Sequence, residues 1–302
     1  MLNDPVGYLF YRLLRNDWSW RLLSADERKI VADANYRHNT LRPDYADPAL
    51  YGAGRIAGGE NWDSPGPRDG SHRGAFLARA LDTHRPSAVL EIGPGAGFFT
   101  RDICLFDSVK EYCAVDINPA FLEYLAPRLQ AVGLHRTFNY QLVEGDHGRI
   151  PGDRQFDLIV LLSSVHHIPD RVELFRSLLA SLAPGGVIVC HDPSHYLPRL
   201  RHIMRKMRRG QLAKRFYLNR DNVATHNMCS LGEYSAICRR VGACRLIVAS
   251  CRVGPRSERA VAALPRPIAD RLRRILSDEI GVVIRRQDSQ GRDGASPMTA
   301  AL

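Results

Sequence analysis

The stretch AVLEIGPGAGFFT, from Ala88 to Thr100, decides how the chain is read. Ala88 to Ile92 is a short apolar run holding one acid, Glu91, and glycine then recurs at Gly93, Gly95 and Gly97. That order predicts a buried strand breaking into a tight turn and then a helix. With no Cβ atoms in the way, such a turn lets a ligand approach main-chain N–H groups at a helix start. A nucleotide or nucleoside suits this position at the carboxyl end of a parallel strand. A dinucleotide fits poorly, because its fingerprint asks for a small residue three positions after the second glycine, where Phe98 stands.

Outward from the loop, strand and helix patterns alternate. SHRGAFLARALDTH, from Ser71, predicts a helix leading into the first strand, and FFTRDICLF a crossover helix after the loop. EYCAVDIN predicts a second strand that ends near Asp116 and Ile117, about twenty residues beyond the glycines. An ionised carboxylate there offers two acceptor oxygens to a ribose diol, and acid, spacing and strand end all agree with that role; the plainer reading is a cap on the helix that starts at Asn118 and Pro119. That helix carries Pro127, which should kink it. FNYQLVEGD predicts a third strand closing at Asp146, beside His147, where Gly145 and Asp146 could also form a plain turn. Phe156 to Leu162 is almost continuously apolar, the pattern of a strand covered on both faces. Beyond SSVHHIPD, Asp170 and Glu173 open a helix that stops at LAPGG, and GVIVCHDPS follows as a fifth strand. CRLIVASCRV and GVVIRRQ read as strands six and seven, with the helix PIADRLRRILSDE between them. S-x-x-E capping boxes stand at Ser24 to Glu27 and Ser230 to Glu233.

The E-x-G-x-G-x-G spacing, together with HHIPD and LAPGG ahead of a strand, resembles the small-molecule branch of class I S-adenosylmethionine-dependent methyltransferases. The resemblance covers about residues 71–194. It implies an α/β fold, a Rossmann-like seven-stranded, mostly parallel sheet of order 3-2-1-4-5-7-6. The domain would occupy 71–287 with an insertion at 195–228, after a helical and glycine-rich extension at 1–70 and before a disordered tail at 288–302. It implies S-adenosyl-L-methionine as cofactor, with Glu91, Gly93, Gly95 and Gly97 toward the amino-acid moiety, Asp116 and Ile117 at the ribose, Asp146 and His147 at the adenine, and Ser163 nearby.

Composition narrows the partners. The formal charge is +10, and nine basic residues fall between Arg199 and Arg220 with no acid among them, so the rest of the chain is close to neutral. Leu200, Ile203, Met204 and Met207 recur there at helical spacing, which predicts a basic amphipathic helix over the substrate mouth. It reads as a solvated lid, as a surface for an anionic or carrier-bound substrate, or as an RNA-binding patch; no RNA-binding module accompanies it. Seven cysteines without a C-x-x-C pair argue against disulfide and zinc frameworks and for a reducing, cytoplasmic setting. No apolar run reaches the roughly 20 residues of a membrane span, and VGYLFYRLL at the amino end lacks the features of a signal peptide. Tyr51 to Gly70, rich in glycine and proline, reads as a linker or as a flap over the cofactor.

Methyl transfer is an in-line displacement, so the protein must align a nucleophile and, where needed, take its proton. The acceptor would enter over strands four and five, where Ser163, Ser164, His166, His167, His191, Asp192 and His195 gather. His166, in H-x-x-x-D with Asp170, stands where the general base of plant-type O-methyltransferases lies, and histidine titrates in the range suited to that task. His191 with Asp192 is the other candidate pair. No metal is expected, because strand four ends in serines rather than acids. The reading is methyl transfer to an O, N or C nucleophile of a small molecule, with secondary metabolism as the expected setting. The alternatives are an RNA or protein methyltransferase using the basic segment 198–220, and a cofactor-binding protein without turnover.

Overall fold

The computed structural model describes residues 24–40, 47–50, 61–63, 72–168, 170–193, 231–242, 244–277 and 279–287. Seven strands form one sheet: β1 Ala88–Ile92, β2 Glu111–Asp116, β3 Asn139–Glu144, β4 Phe156–Leu162, β5 Leu182–Pro193, β6 Cys244–Arg252 and β7 Glu279–Arg286. Their order is β3-β2-β1-β4-β5-β7-β6, as the resemblance implies. β1 to β5 pair in parallel, and β7 runs antiparallel between β5 and β6.

Two apolar layers cover the sheet, and strand parity assigns each residue to one of them. Val89, Tyr112, Leu158, Val160, Val187 and Val189 face one layer. There they meet α2 (His72–His84), α3 (Thr100–Cys104) and α4 (Pro119–His135) through Leu77, Leu81, Ile103, Leu125 and Leu129. Leu90, Cys113, Ile159, Leu161, Ile188 and Cys190 face α5 (Arg171–Ala180) and α6 (Leu231–Val241) through Leu174, Phe175, Leu178, Tyr234 and Ile237. Burial on both faces is the reason β4 reads as an unbroken apolar run.

The helix starts follow their capping chemistry. Asn118 accepts from the Ala120 N–H at 3.1 Å, and Asp170 from the Glu173 N–H at 3.2 Å. α4 runs as one element from Pro119 to His135, through Pro127. Helix α1 (Ala25–Thr40) starts at the Ser24 box, and two helices, α7 (Pro255–Ala262) and α8 (Arg266–Leu276), link β6 to β7 where the sequence predicted one. Arg171 and Glu233, both almost fully buried, pair at 3.1 Å and fasten α5 to α6. All six described cysteines are free thiols. Among the described residues no helix is long and apolar enough to cross a membrane. The basic segment 198–220, His195, Ser230, the amino-terminal VGYLFYRLL and the tail 288–302 lie outside the described residues.

Candidate active site

At the carboxyl ends of β1, β2 and β4 lies a cavity of about 670 Å³, within the range of small-ligand sites. One wall is the glycine loop. Gly93, Gly95 and Gly97 have φ of 71°, 54° and 80°, the left-handed region that glycine enters without penalty. Gly93 and Gly95 line the cavity. Gly97 does not: its Cα faces outward, where an added Cβ would come within 2.2 Å of Leu125 Cδ2. The third glycine is therefore set by helix packing. Asn61 forms a β-bridge with it and the Trp62 N–H reaches Ala96 O at 2.8 Å, so residues 61–63 of the glycine-rich stretch brace the loop from behind. The remainder of that stretch lies outside the described residues.

Glu91 also stands behind the wall, contrary to its expected place against the cofactor. Parity turns its side chain into the layer beneath α3, where its buried carboxylate accepts from Thr100 Oγ1 at 2.8 Å and Tyr112 Oη at 2.6 Å. Burial raises its pKa to about 7, against the pull of these two donors.

Asp116 closes the far side of the loop. One carboxylate oxygen accepts from the Gly95 N–H at 3.1 Å and the other from the Asn118 N–H at 2.9 Å. These bonds tie the glycine loop to the turn ahead of α4, whose N-cap is Asn118 itself. Each carboxylate oxygen has two lone pairs, so acceptor capacity remains on the cavity side. Burial raises the Asp116 pKa to about 6, opposed by its backbone donors. Ile117 and Phe121 continue the wall, and Gly145 and Asp146 complete it at the exit of β3. Asp146 also accepts from the Gly148 N–H at 2.9 Å, the plain-turn role. Of His147 the structure describes only the backbone, in the turn His147–Arg149.

The opposite wall comes from the exit of β4. Ser163 holds φ of 59°, unusual for a residue with a side chain, and its hydroxyl receives a 2.6 Å hydrogen bond from Arg73 of α2. Arg73 lines the cavity, as do Asp33, Tyr36 and Asn39 of α1. The sequence reading missed all four. Only tertiary contact brings them in; for α1 this includes the bond from Asn118 Nδ2 to Asn39 O at 3.2 Å.

Among the histidines the structure redraws the expected pairs. His166 is partnered by Asp192, not Asp170: its Nδ1 lies 2.7 Å from Asp192 Oδ1, and its N–H reaches the same oxygen at 3.3 Å. Tyr234 Oη donates to the other Asp192 oxygen at 3.4 Å. Asp170 instead caps α5. His191 and Asp192, adjacent on β5, project to opposite faces, so they cannot form the expected pair. His191 Nε2 lies 3.0 Å from Nδ1 of His72 in the α2 layer. Burial pulls its pKa down to about 4. His167, whose ring centroid is 4.0 Å from that of His166, lines the cavity, while His166 sits just behind it.

Residues 90–188 match a family model described as a methyltransferase domain. A protein-L-isoaspartate O-methyltransferase of Rhodospirillum rubrum is 34% identical over 115 residues, 38% of this chain and 48% of that protein. The chain thus spans about half the length of this curated relative. Among solved structures, the DhpI complex with SAH superposes with a TM-score of 0.51 at 15% identity, covering 84% of this chain and 96% of DhpI. The N-methyltransferase NodS of Bradyrhizobium japonicum, in complex with S-adenosyl-L-homocysteine, superposes with 0.50 at 16% identity, covering 80% and 100%. At these identities the two structures speak for the fold.

Proposed function

We propose, from the match of residues 90–188 to a model described as a methyltransferase domain and from the sheet order β3-β2-β1-β4-β5-β7-β6, that the chain transfers a methyl group from S-adenosyl-L-methionine to a small-molecule nucleophile. The observation that carries the reading is the wall made by Gly93, Gly95 and Asp116. It combines two positions without side chains and a buried carboxylate with acceptor capacity to spare, which suits a ribose diol. Asp146 would meet the adenine, with Ile117 and Phe121 as apolar walls. Arg73, held on Ser163, supplies a cation for the carboxylate of the amino-acid moiety. When bound, the sulfonium supplies an activated methyl group; its transfer leaves the demethylated nucleoside and releases the acceptor's proton.

The chain's own task is then to align the acceptor and receive that proton. An Nδ1–H donated by His166 to Asp192 leaves Nε2 with its lone pair and fixes the ring, the arrangement of an oriented base. His167, its ring centroid 4.0 Å from that of His166, lines the cavity beside it. The test is calorimetry of the purified chain with S-adenosyl-L-methionine and its demethylated product, followed by turnover on a fractionated metabolite extract with labelled methyl donor. Binding of both nucleosides with turnover on a small molecule supports the reading. Binding without turnover leaves a cofactor-binding protein, and turnover confined to protein or RNA fractions replaces the acceptor class.

A further inference from the structure

We propose that His72, His191 and Glu279 form a binding site for one divalent transition-metal ion, on the α2 side of the sheet and separate from the nucleoside cavity.

The three residues are far apart in sequence and meet through parity. His191 and Glu279 project from β5 and β7 to the same face, and α2 lays His72, its first residue, over them. One ligand atom from each lies within 4.8 Å of the others. His72 Nδ1 is 3.0 Å from His191 Nε2 and 3.6 Å from Glu279 Oε2. Donors held at about 2.0–2.2 Å from a common ion stand about 2.9 Å apart in octahedral and about 3.4 Å apart in tetrahedral geometry. Two of the three separations, 3.0 and 3.6 Å, already fall near these values.

Hydrogen-bond accounting points the same way. Ser250 Oγ sits 2.7 Å from His72 Nε2 and fixes that ring from outside, as partners of metal-binding histidines do. The two imidazole nitrogens that face each other can share one proton at most. Glu279 Oε2 makes no hydrogen bond but is met at 3.5 Å by Arg252 Nη1 of β6, and the far nitrogen of His191 is buried without a partner among the described residues. An ion at the centre would take a lone pair from each of the three facing atoms, with the half-exposed Arg252 free to turn from Glu279 to solvent. Two imidazoles and one carboxylate are borderline donors, suited to zinc, cobalt, nickel or ferrous iron rather than magnesium or calcium. The expectation of no metal rested on the acids after strands four and five, none of which takes part here. The ion would tie the start of α2 to β5 and β7, directly behind Arg73 and its bond to Ser163.

The test uses the full chain without a histidine affinity tag, stripped with a chelator and titrated with Co²⁺ as a visible-absorption probe, then competed with Zn²⁺. The expected result is a saturable band at one ion per chain. A rise in Tm that chelator reverses should accompany it. Glu279→Gln and His72→Ala should each weaken binding by about 100-fold or more, whereas His135→Ala, on an exposed position of α4, should not. Circular dichroism checks that each variant is folded. A folded wild-type chain with no band and no shift in Tm would overturn the proposal, as would unchanged binding in both cluster variants. Nucleoside binding, measured separately, tests the methyl-transfer reading and is independent of this outcome.

Discussion

The two halves of the sheet's carboxyl edge are built differently. In the half formed by β1, β2 and β3, the residues facing the cavity are near neighbours in sequence: Gly93 and Gly95 in one turn, Asp116 and Ile117 at one strand end, Gly145 and Asp146 at the next. In the half formed by β4, β5 and β7, partners come from far apart, His166 with Asp192, His191 with His72, Arg171 with Glu233. Loops at the tips of parallel strands keep sequence neighbours together, while alternation along a strand sends them to opposite faces. A motif therefore describes the first half, and only the packed structure describes the second.

The sharpest way to break this contrast is Asp192→Asn. If Asp192 orients His166 as a proton acceptor, turnover should fall by about 10²- to 10⁴-fold with nucleoside affinity unchanged; equal losses in both would show that the two halves are not separable. His166→Ala should match it, and a full-rate variant would return that histidine to a structural role. Next in size is Glu233→Ala, which strands the buried Arg171 and should lower stability by about 3–5 kcal/mol in denaturant titration. Little change there would mean that water reaches the pair.

Glu91→Gln tests the other half. A carboxyl whose pKa is raised from 4.5 in the unfolded chain to about 7 in the folded one holds its proton more tightly when folded. Its contribution is thus complete below about pH 4.5 and is lost as pH rises toward 7, by at most about 3 kcal/mol. Wild-type Tm should accordingly fall between pH 5 and 8 relative to Glu91→Gln, whose amide cannot ionise. Parallel curves for the two proteins would remove Glu91 as the source of the slope.

Much of the fold was legible because its signals are local. The seven strands, the glycine turn and the cap at Asp170 each follow from a few adjacent residues, whereas α4 takes its cap from Asn118 rather than from Asp116. The cavity's inner wall was legible for the same reason, with two exceptions. Glu91 and Gly97 belong to the motif, yet one serves Thr100 and Tyr112 and the other makes room for Leu125. Spacing shows that a small or acidic residue is required, not which side of the loop requires it. Arg73, Tyr36 and the His72 cluster were illegible because each depends on how a helix lies over the sheet. The partners of His166 and His191 had to be read from parity across strands.

The central claim is that a sulfonium nucleoside sits against Asp116, and calorimetric titration of S-adenosyl-L-methionine into wild type and Asp116→Ala tests it most directly. The wild type should bind one equivalent, with affinity falling as pH drops below about 6 and the carboxylate is protonated, and the variant should lose about 1–3 kcal/mol. Equal affinity in the two proteins, or no heat with either, would contradict it.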